Sequence, residues 1–141
     1  MSEPLVFHYE VDGSDFTSAG TASVAVKKSL RQLGLPSEVI RKLSIAMYEG
    51  EINMVIHANG GTADVIVTED HVDIVLKDNG PGIPDVEKAM QEGYSTATAE
   101  IHSLGFGAGM GLPNMKRYSD EMSIETELGV GTTIRMRINM A

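Results

Sequence analysis

The stretch SEVIRKLSIAMYEGEINMVIHA, Ser37 to Ala58, is apolar on nearly every side: Val39, Ile40, Leu43, Ile45, Ala46, Met47, Ile52, Met54, Val55 and Ile56 leave it no wide polar face. A helix of that kind is buried, so the rest of the chain must be laid around it. Ser37 with Glu38 starts it, and Asn59-Gly60-Gly61 turns the chain at its end. Upstream, the apolar and small residues between Phe16 and Leu33 recur at helical spacing, and Gly34 followed by Pro36 stops that helix. Leu5 to Val11 alternates as a strand, with Leu5, Phe7, Tyr9 and Val11 on one face. Downstream, Ala63 to Glu69 and Val72 to Lys77 read as two strands joined at Asp70-His71, a connection short enough to favour antiparallel pairing. A short helix is expected within Ile83 to Glu92 and another over Leu112 to Asp120. Strands Met122 to Leu128 and Thr132 to Ile138 then flank Gly129-Val130-Gly131. Strands and helices come in blocks, which predicts an α+β fold: a two-layer α/β sandwich with helices on one face of a mixed, mostly antiparallel sheet.

The 141 residues fit one domain, 1–141, with a core large enough to fold without staples. Hydrophobic content of 42% and charged content of 22% are ordinary for a folded soluble chain. Twenty acidic against 11 basic residues give a net charge of -9, which disfavours nucleic-acid binding. The absence of cysteine excludes disulfides, thiolate metal sites and a cysteine nucleophile. No apolar run approaches a membrane span and the acidic start lacks a signal-peptide pattern, so the expectation is a cytoplasmic protein with no membrane partner.

Two glycine-rich segments carry the chemical signal. Asp78-Asn79-Gly80-Pro81-Gly82 follows a strand, and Gly105-Phe106-Gly107-Ala108-Gly109-Met110-Gly111 runs into a helix at Leu112. Loops of this kind bring backbone N–H groups close to a ligand, and a helix start suits phosphates. The spacing fits neither the P-loop, the Rossmann fingerprint nor the eukaryotic kinase loop. A flexible loop without a ligand and a plain Asp-Asn-Gly-Pro turn remain open for the two segments. Lys116 and Arg117 could add a cation or lie on a solvated helix face. Glu49 and Asn53 are four apart and share a face of the buried helix, the oxygen of Asn53 suiting Mg²⁺ and Glu49 suiting a general base. A satisfied Asn with a solvated Glu is the plainer reading of that pair. Glu51 points about 160° from Asn53 and is expected to reach solvent. Gly50, inside the same helix, costs about 1 kcal/mol against alanine unless it permits close approach of a neighbour. The four histidines show no i,i+4 pairing, which makes zinc improbable.

Taken in order, Glu49-x-x-x-Asn53, Asp78-x-Gly80-x-Gly82, Gly105-x-Gly107-x-Gly109-x-Gly111-Leu112 and Gly131-Thr132-Thr133 resemble the Asn box, the two glycine boxes and the terminal Gly-Thr box of the GHKL ATPases. The similarity covers nearly the full length and implies the Bergerat ATP-binding fold. The strings Asp78 to Asp85, Lys88-Ala89-Met90, Gly93-Tyr94-Ser95-Thr96 and Gly111-Leu112-Pro113 with Lys116-Arg117 are closest to the RsbT-type serine kinases and anti-sigma regulatory factors of partner-switching pathways. The resemblance implies ATP and Mg²⁺ as cofactors. It places Asp78, Gly80, Gly82 and Ile83 at the adenine, with Thr132 or Thr133 nearby. It assigns Asn53 to Mg²⁺, Gly105 to Gly111 with Leu112 and Lys116 to the phosphates, and residues 93–108 to an ATP lid. Glu49 becomes the base for a substrate serine, and the substrate a STAS-domain antagonist. Three functions stay in play: that serine kinase; a nucleotide-gated anti-sigma factor or activator of a PPM-type phosphatase; and a detached histidine-kinase catalytic domain or simple ATPase. Monomer and homodimer are both left open.

Overall fold

A computed structural model of the chain describes residues 3–13, 20–58, 60–80, 82–83, 90 and 111–140, and the structural statements below concern those residues. Strand β1 (Leu5–Asp12) is followed by helices α1 (Thr21–Leu33) and α2 (Ser37–Ala58), strands β2 (Gly60–Val67) and β3 (His71–Asp78), helix α3 (Gly111–Arg117), and strands β4 (Glu121–Glu127) and β5 (Gly131–Asn139). The start of the first predicted helix, nearly all of the helix expected within Ile83 to Glu92, and the lid over 93–108 lie outside the described residues.

The five strands form one sheet in the order β1-β2-β3-β5-β4. All four pairings are antiparallel, so the described sheet sits at the antiparallel end of the mixed sheet expected. Strand alternation sends alternate residues to the two faces, and the register lines them up in rows. Phe7, Val65, Ile74, Met136 and Met122 lie side by side across the sheet, and Tyr9, Ala63, Leu76, Ile134 and Ile124 form the next row. These rows meet α1 and α2, whose Val26, Leu30, Leu43 and Met47 are fully buried against them. The helices therefore cover one face of the sheet. The β2–β3 turn closes at Thr68, whose hydroxyl accepts the N–H of His71 at 3.1 Å while its N–H donates to the His71 carbonyl at 2.9 Å.

Three local features fix how the helices sit. Gly34 adopts φ 79° at the end of α1, and the N–H of Leu35 returns to the Leu30 carbonyl at 3.2 Å, which is the glycine stop read from the sequence. At the other end of α1 the structure corrects an expectation. Glu51 does not reach solvent: it is 2% exposed, and its carboxylate accepts the N–H groups of Gly20 at 2.8 Å, Ala22 at 3.1 Å and Ser23 at 3.0 Å. The direction 160° from Asn53 leads to the unpaired donors at the start of α1, which attract a carboxylate by hydrogen bonding and by the helix dipole. Gly50 is the close approach that the sequence left open. A Cβ there would run into Leu76 of β3 and come within 3.2 Å of Met115 Sδ of α3, so α2 rests directly on both elements at this position.

Candidate functional site

One row further along the helix-facing side of the sheet, the apolar pattern stops. Asp78 of β3, Thr132 of β5 and Thr126 of β4 stand next to one another where the previous row has Leu76, Ile134 and Ile124. Asp78 Oδ1 accepts the N–H of Gly80 at 2.9 Å and that of Thr132 at 3.2 Å. Thr132, 6% exposed, shares a hydroxyl–hydroxyl hydrogen bond of 2.9 Å with Thr126. Thr126 Oγ1 also accepts the N–H of Ile83 at 2.8 Å, fastening the segment after Gly82 to β4. The first glycine segment is therefore held at both ends by side chains of this row.

Its glycines answer steric needs. A Cβ at Gly80 would lie 2.6 Å from Ala58 Cβ, at the end of α2, and one at Gly82, where φ is 84°, would lie 2.7 Å from the Glu127 carbonyl oxygen. The backbone runs in the crevice between α2 and the β4–β5 hairpin. Both hydrogen bonds that Asp78 accepts from the described residues end on Oδ1, so the carboxylate has capacity left to accept from a ligand N–H group.

The second half of the site is built by α2 and α3. Leu112 and Met115 are buried and anchor α3, and the contact of Met115 with Gly50 brings this short helix against α2. That packing turns Gly111 toward the Glu49–Asn53 face of α2. A Cβ at Gly111 would stand 3.8 Å from Glu49 Oε2 and 4.0 Å from Asn53 Oδ1, so the two oxygens, one turn apart on α2, converge on one point. Glu49 is half-buried, and burial pushes its carboxyl above the ordinary value of 4.5 while a hydrogen bond from the Asn114 side chain pulls it partly back. Among the described residues no cluster of three His, Asp or Glu side chains exists to cage a metal. Hard oxygens on one patch suit Mg²⁺ held mainly through water and substrate phosphates.

Not every residue singled out from the sequence reaches this region. Thr133 faces the opposite side of the sheet, paired across strands with Lys77 and Glu125, because adjacent strand residues point oppositely. Lys116 is exposed on α3, about 140° around the helix from Gly111, and lines a separate cleft of about 520 Å³ with Met90, Ser119, Asp120, Met122 and Ile124. Leu112 serves as a core anchor. Gly105, Phe106, Gly107, Ala108, Gly109 and Met110 lie outside the described residues. Two residues of the site were missed. Thr126 is the polar member ending the alternation Met122, Ile124, Thr126, a signal legible once the neighbouring row was known. Asn114 lies three residues after Gly111, on the same helix face, and nothing in the sequence tied it to Glu49.

Known proteins resemble this chain over most of its length. Residues 14–138 match the family described as the histidine kinase-like ATPase domain. The serine/threonine-protein kinase RsbT of Bacillus subtilis (strain 168) is 32% identical over 109 residues, covering 74% of this chain and 76% of that protein. An anti-sigma F factor of Caldanaerobacter subterraneus subsp. tengcongensis is 33% identical over 120 residues, covering 82% of this chain and 80% of its own length. The crystal structure of the RsbU and RsbW domains of Rv1364c from Mycobacterium tuberculosis superposes with a TM-score of 0.64 at 18% identity. It covers 97% of this chain, while the present chain spans 32% of that longer one, and at this identity the likeness concerns the fold. No helix among the described residues is long and apolar enough to cross a membrane.

Proposed function

This chain belongs to the histidine kinase-like ATPase domain family, and from that premise we propose that it is an ATP-dependent protein-serine kinase of a partner-switching pathway whose substrate is a STAS-domain antagonist protein. The observation that carries the reading is the convergence of Glu49 Oε2 and Asn53 Oδ1 beside Gly111, next to the polar row of Asp78, Thr132 and Thr126. Adenine presents an exocyclic amine whose N–H the Asp78 carboxylate would accept, and the backbone N–H of Thr132 holds that carboxylate in place. Asn53 would hold Mg²⁺ through its side-chain oxygen, and the bound ion would neutralise charge on the transferred phosphoryl group.

Glu49 has the chemistry of a general base. It is carried by a helix and half-buried, and burial raises its carboxyl above the ordinary value, which strengthens it as a base. In its ionised form it would accept the hydroxyl proton of the substrate serine as that oxygen attacks the γ-phosphorus of ATP, the bond from that phosphorus to the bridging oxygen breaks and ADP leaves. Phosphoryl transfer asks mainly for positioning, and Gly111 leaves open the point on which the base and the Asn53 oxygen converge.

A second reading is supported by the similarity to anti-sigma F factors, 29–33% identical over at least 120 residues: a nucleotide-dependent binder of a sigma factor or of a PPM-type phosphatase. One experiment separates the two. The protein is incubated with γ-labelled ATP, Mg²⁺ and a STAS-domain protein encoded beside it, and the same mixture is assayed for complex formation. Label on a serine of the STAS protein, lost in Glu49→Ala with ATP binding retained, supports the kinase; a stable complex without label favours the binder.

A further inference from the structure

Thr126 stands on the outer strand of the polar row, and the proposed function gives it no task. Its register partner is Thr132, whose own partner across β3 is Asp78, so the three lie side by side. Its hydroxyl oxygen accepts the N–H of Ile83 at 2.8 Å and lies 2.9 Å from Thr132 Oγ1 and 3.5 Å from the Gly131 carbonyl oxygen. A hydroxyl has one hydrogen to give. The Thr126 hydrogen goes to the nearer oxygen, that of Thr132, because at 3.5 Å the carbonyl is too far to compete. Thr132 is thereby the acceptor in this pair, and its own hydroxyl hydrogen is left to donate elsewhere. Its backbone N–H meanwhile holds Asp78 Oδ1 at 3.2 Å.

The row then offers a carboxylate acceptor beside a hydroxyl donor. Adenine carries the complementary order on one edge, an amine N–H donor next to the ring acceptor N1, whereas guanine reverses it with the acceptor O6 next to a ring N–H. We propose that Thr126 is a positioning residue for selection of the nucleobase. It takes the Ile83 N–H, gives its hydrogen to Thr132, and so turns the Thr132 hydrogen toward the base. The same oxygen pins Ile83, which packs against the core, to β4. This rests on the reading of the Asp78 row as the adenine site and adds to it a cause of selectivity. A threonine serving only the fold would support every nucleotide alike.

The test compares Thr126→Val, which keeps the shape without the hydroxyl, with Thr126→Ser, which keeps the hydroxyl, and with Asp78→Ala. Affinities for ATP and GTP in the presence of Mg²⁺ are measured by calorimetry, label transfer by its kcat and its KM for ATP, and folding by thermal unfolding. Thr126→Ala takes the place of the valine variant should that one not fold. In Thr126→Val the affinity for ATP falls roughly fivefold to tenfold, the worth of one neutral hydrogen bond, while that for GTP changes less than about twofold. KM for ATP rises by the same factor, kcat at saturating ATP stays within about twofold, and Thr126→Ser restores the selectivity. Equal weakening of ATP and GTP overturns the proposal, because Thr126 then serves the fold alone. Selectivity lost in Thr126→Ser as fully as in Thr126→Val also overturns it, since the hydroxyl is then not the acting group. Affinity for ATP unchanged in Thr126→Val but lowered in Asp78→Ala overturns the positioning and leaves the adenine reading standing. Affinity for ATP unchanged in Asp78→Ala removes the adenine reading and the proposal together.

Discussion

Glu49 and Glu51 stand two residues apart on one helix and lead opposite lives. Glu51 is enclosed, and three backbone N–H groups at the start of α1 occupy its oxygens. Glu49 is half-buried, with an oxygen facing the space beside Gly111. The Glu51 face of α2 therefore holds α1, and the Glu49–Asn53 face is the one proposed to carry the chemistry. Gly50, between them, is where the helix touches both the sheet and α3. A saturated carboxylate holds the fold together, whereas one with spare acceptor capacity in a partly desolvated place can react.

The strongest way to break this comparison is to remove Glu51. Glu51→Ala leaves three N–H groups at a buried helix start without their acceptor, and the expected loss in a denaturant titration is about 3 kcal/mol or more, at roughly 1–3 kcal/mol per orphaned buried donor. Glu49→Ala should change stability far less, and equal losses would erase the distinction. Gly50→Ala comes next. Its helix-propensity gain of about 1 kcal/mol is outweighed by the clash with Leu76 and Met115, and overpacking of this kind costs about 1–3 kcal/mol. Net destabilisation with weakened nucleotide binding is expected, since Gly50 sets the approach of α3 to α2. Asp78→Ala should keep the fold and weaken ATP binding measured by calorimetry by about thirtyfold, the worth of one charge-assisted hydrogen bond at about 2 kcal/mol. Thr133→Ala, on the other sheet face, should leave it unchanged.

The smallest expected effect is on pH dependence. The Glu49 carboxyl is raised above 4.5 in the fold, so its contribution favours the folded state fully below 4.5 and is lost as pH rises through the raised value. Glu49→Gln, which stays neutral, removes that slope. Between pH 4 and 7 the wild type should lose stability relative to this variant, as read from melting temperatures, and parallel profiles would mean that Glu49 is not desolvated.

The elements of the fold were legible because their periods are strong: the buried run of α2 and the alternation of β2, β3 and β5 each specify one structure. Half of the candidate site was legible for the same reason. Asp78 ends a strand with its parity pointing inward, and Thr132 shares parity with Ile134, Met136 and Ile138. That parity, applied strictly, already separates Thr132 from Thr133. Glu51 was misread because a glutamate on a helix is usually solvated, and only the docking of α1 supplies the donors that bury it. Thr126 depended on the strand register, and Asn114 on the packing of α3 against Gly50. Contacts between elements distant in sequence leave no periodic trace.

The central claim, that the Glu49–Asn53 face and the Asp78 row form the nucleotide site while the Glu51 face holds α1, is tested most directly by following backbone amides as Mg·ATP is added to ¹⁵N-labelled protein. The largest shifts are predicted at Asn53, Gly80, Gly111 and Thr132, with Ala22 and Ser23 at the Glu51 face and Arg135 on the open sheet face nearly still. Shifts concentrated at Ala22, Ser23 or Arg135, with Gly80 and Thr132 unmoved, would contradict it.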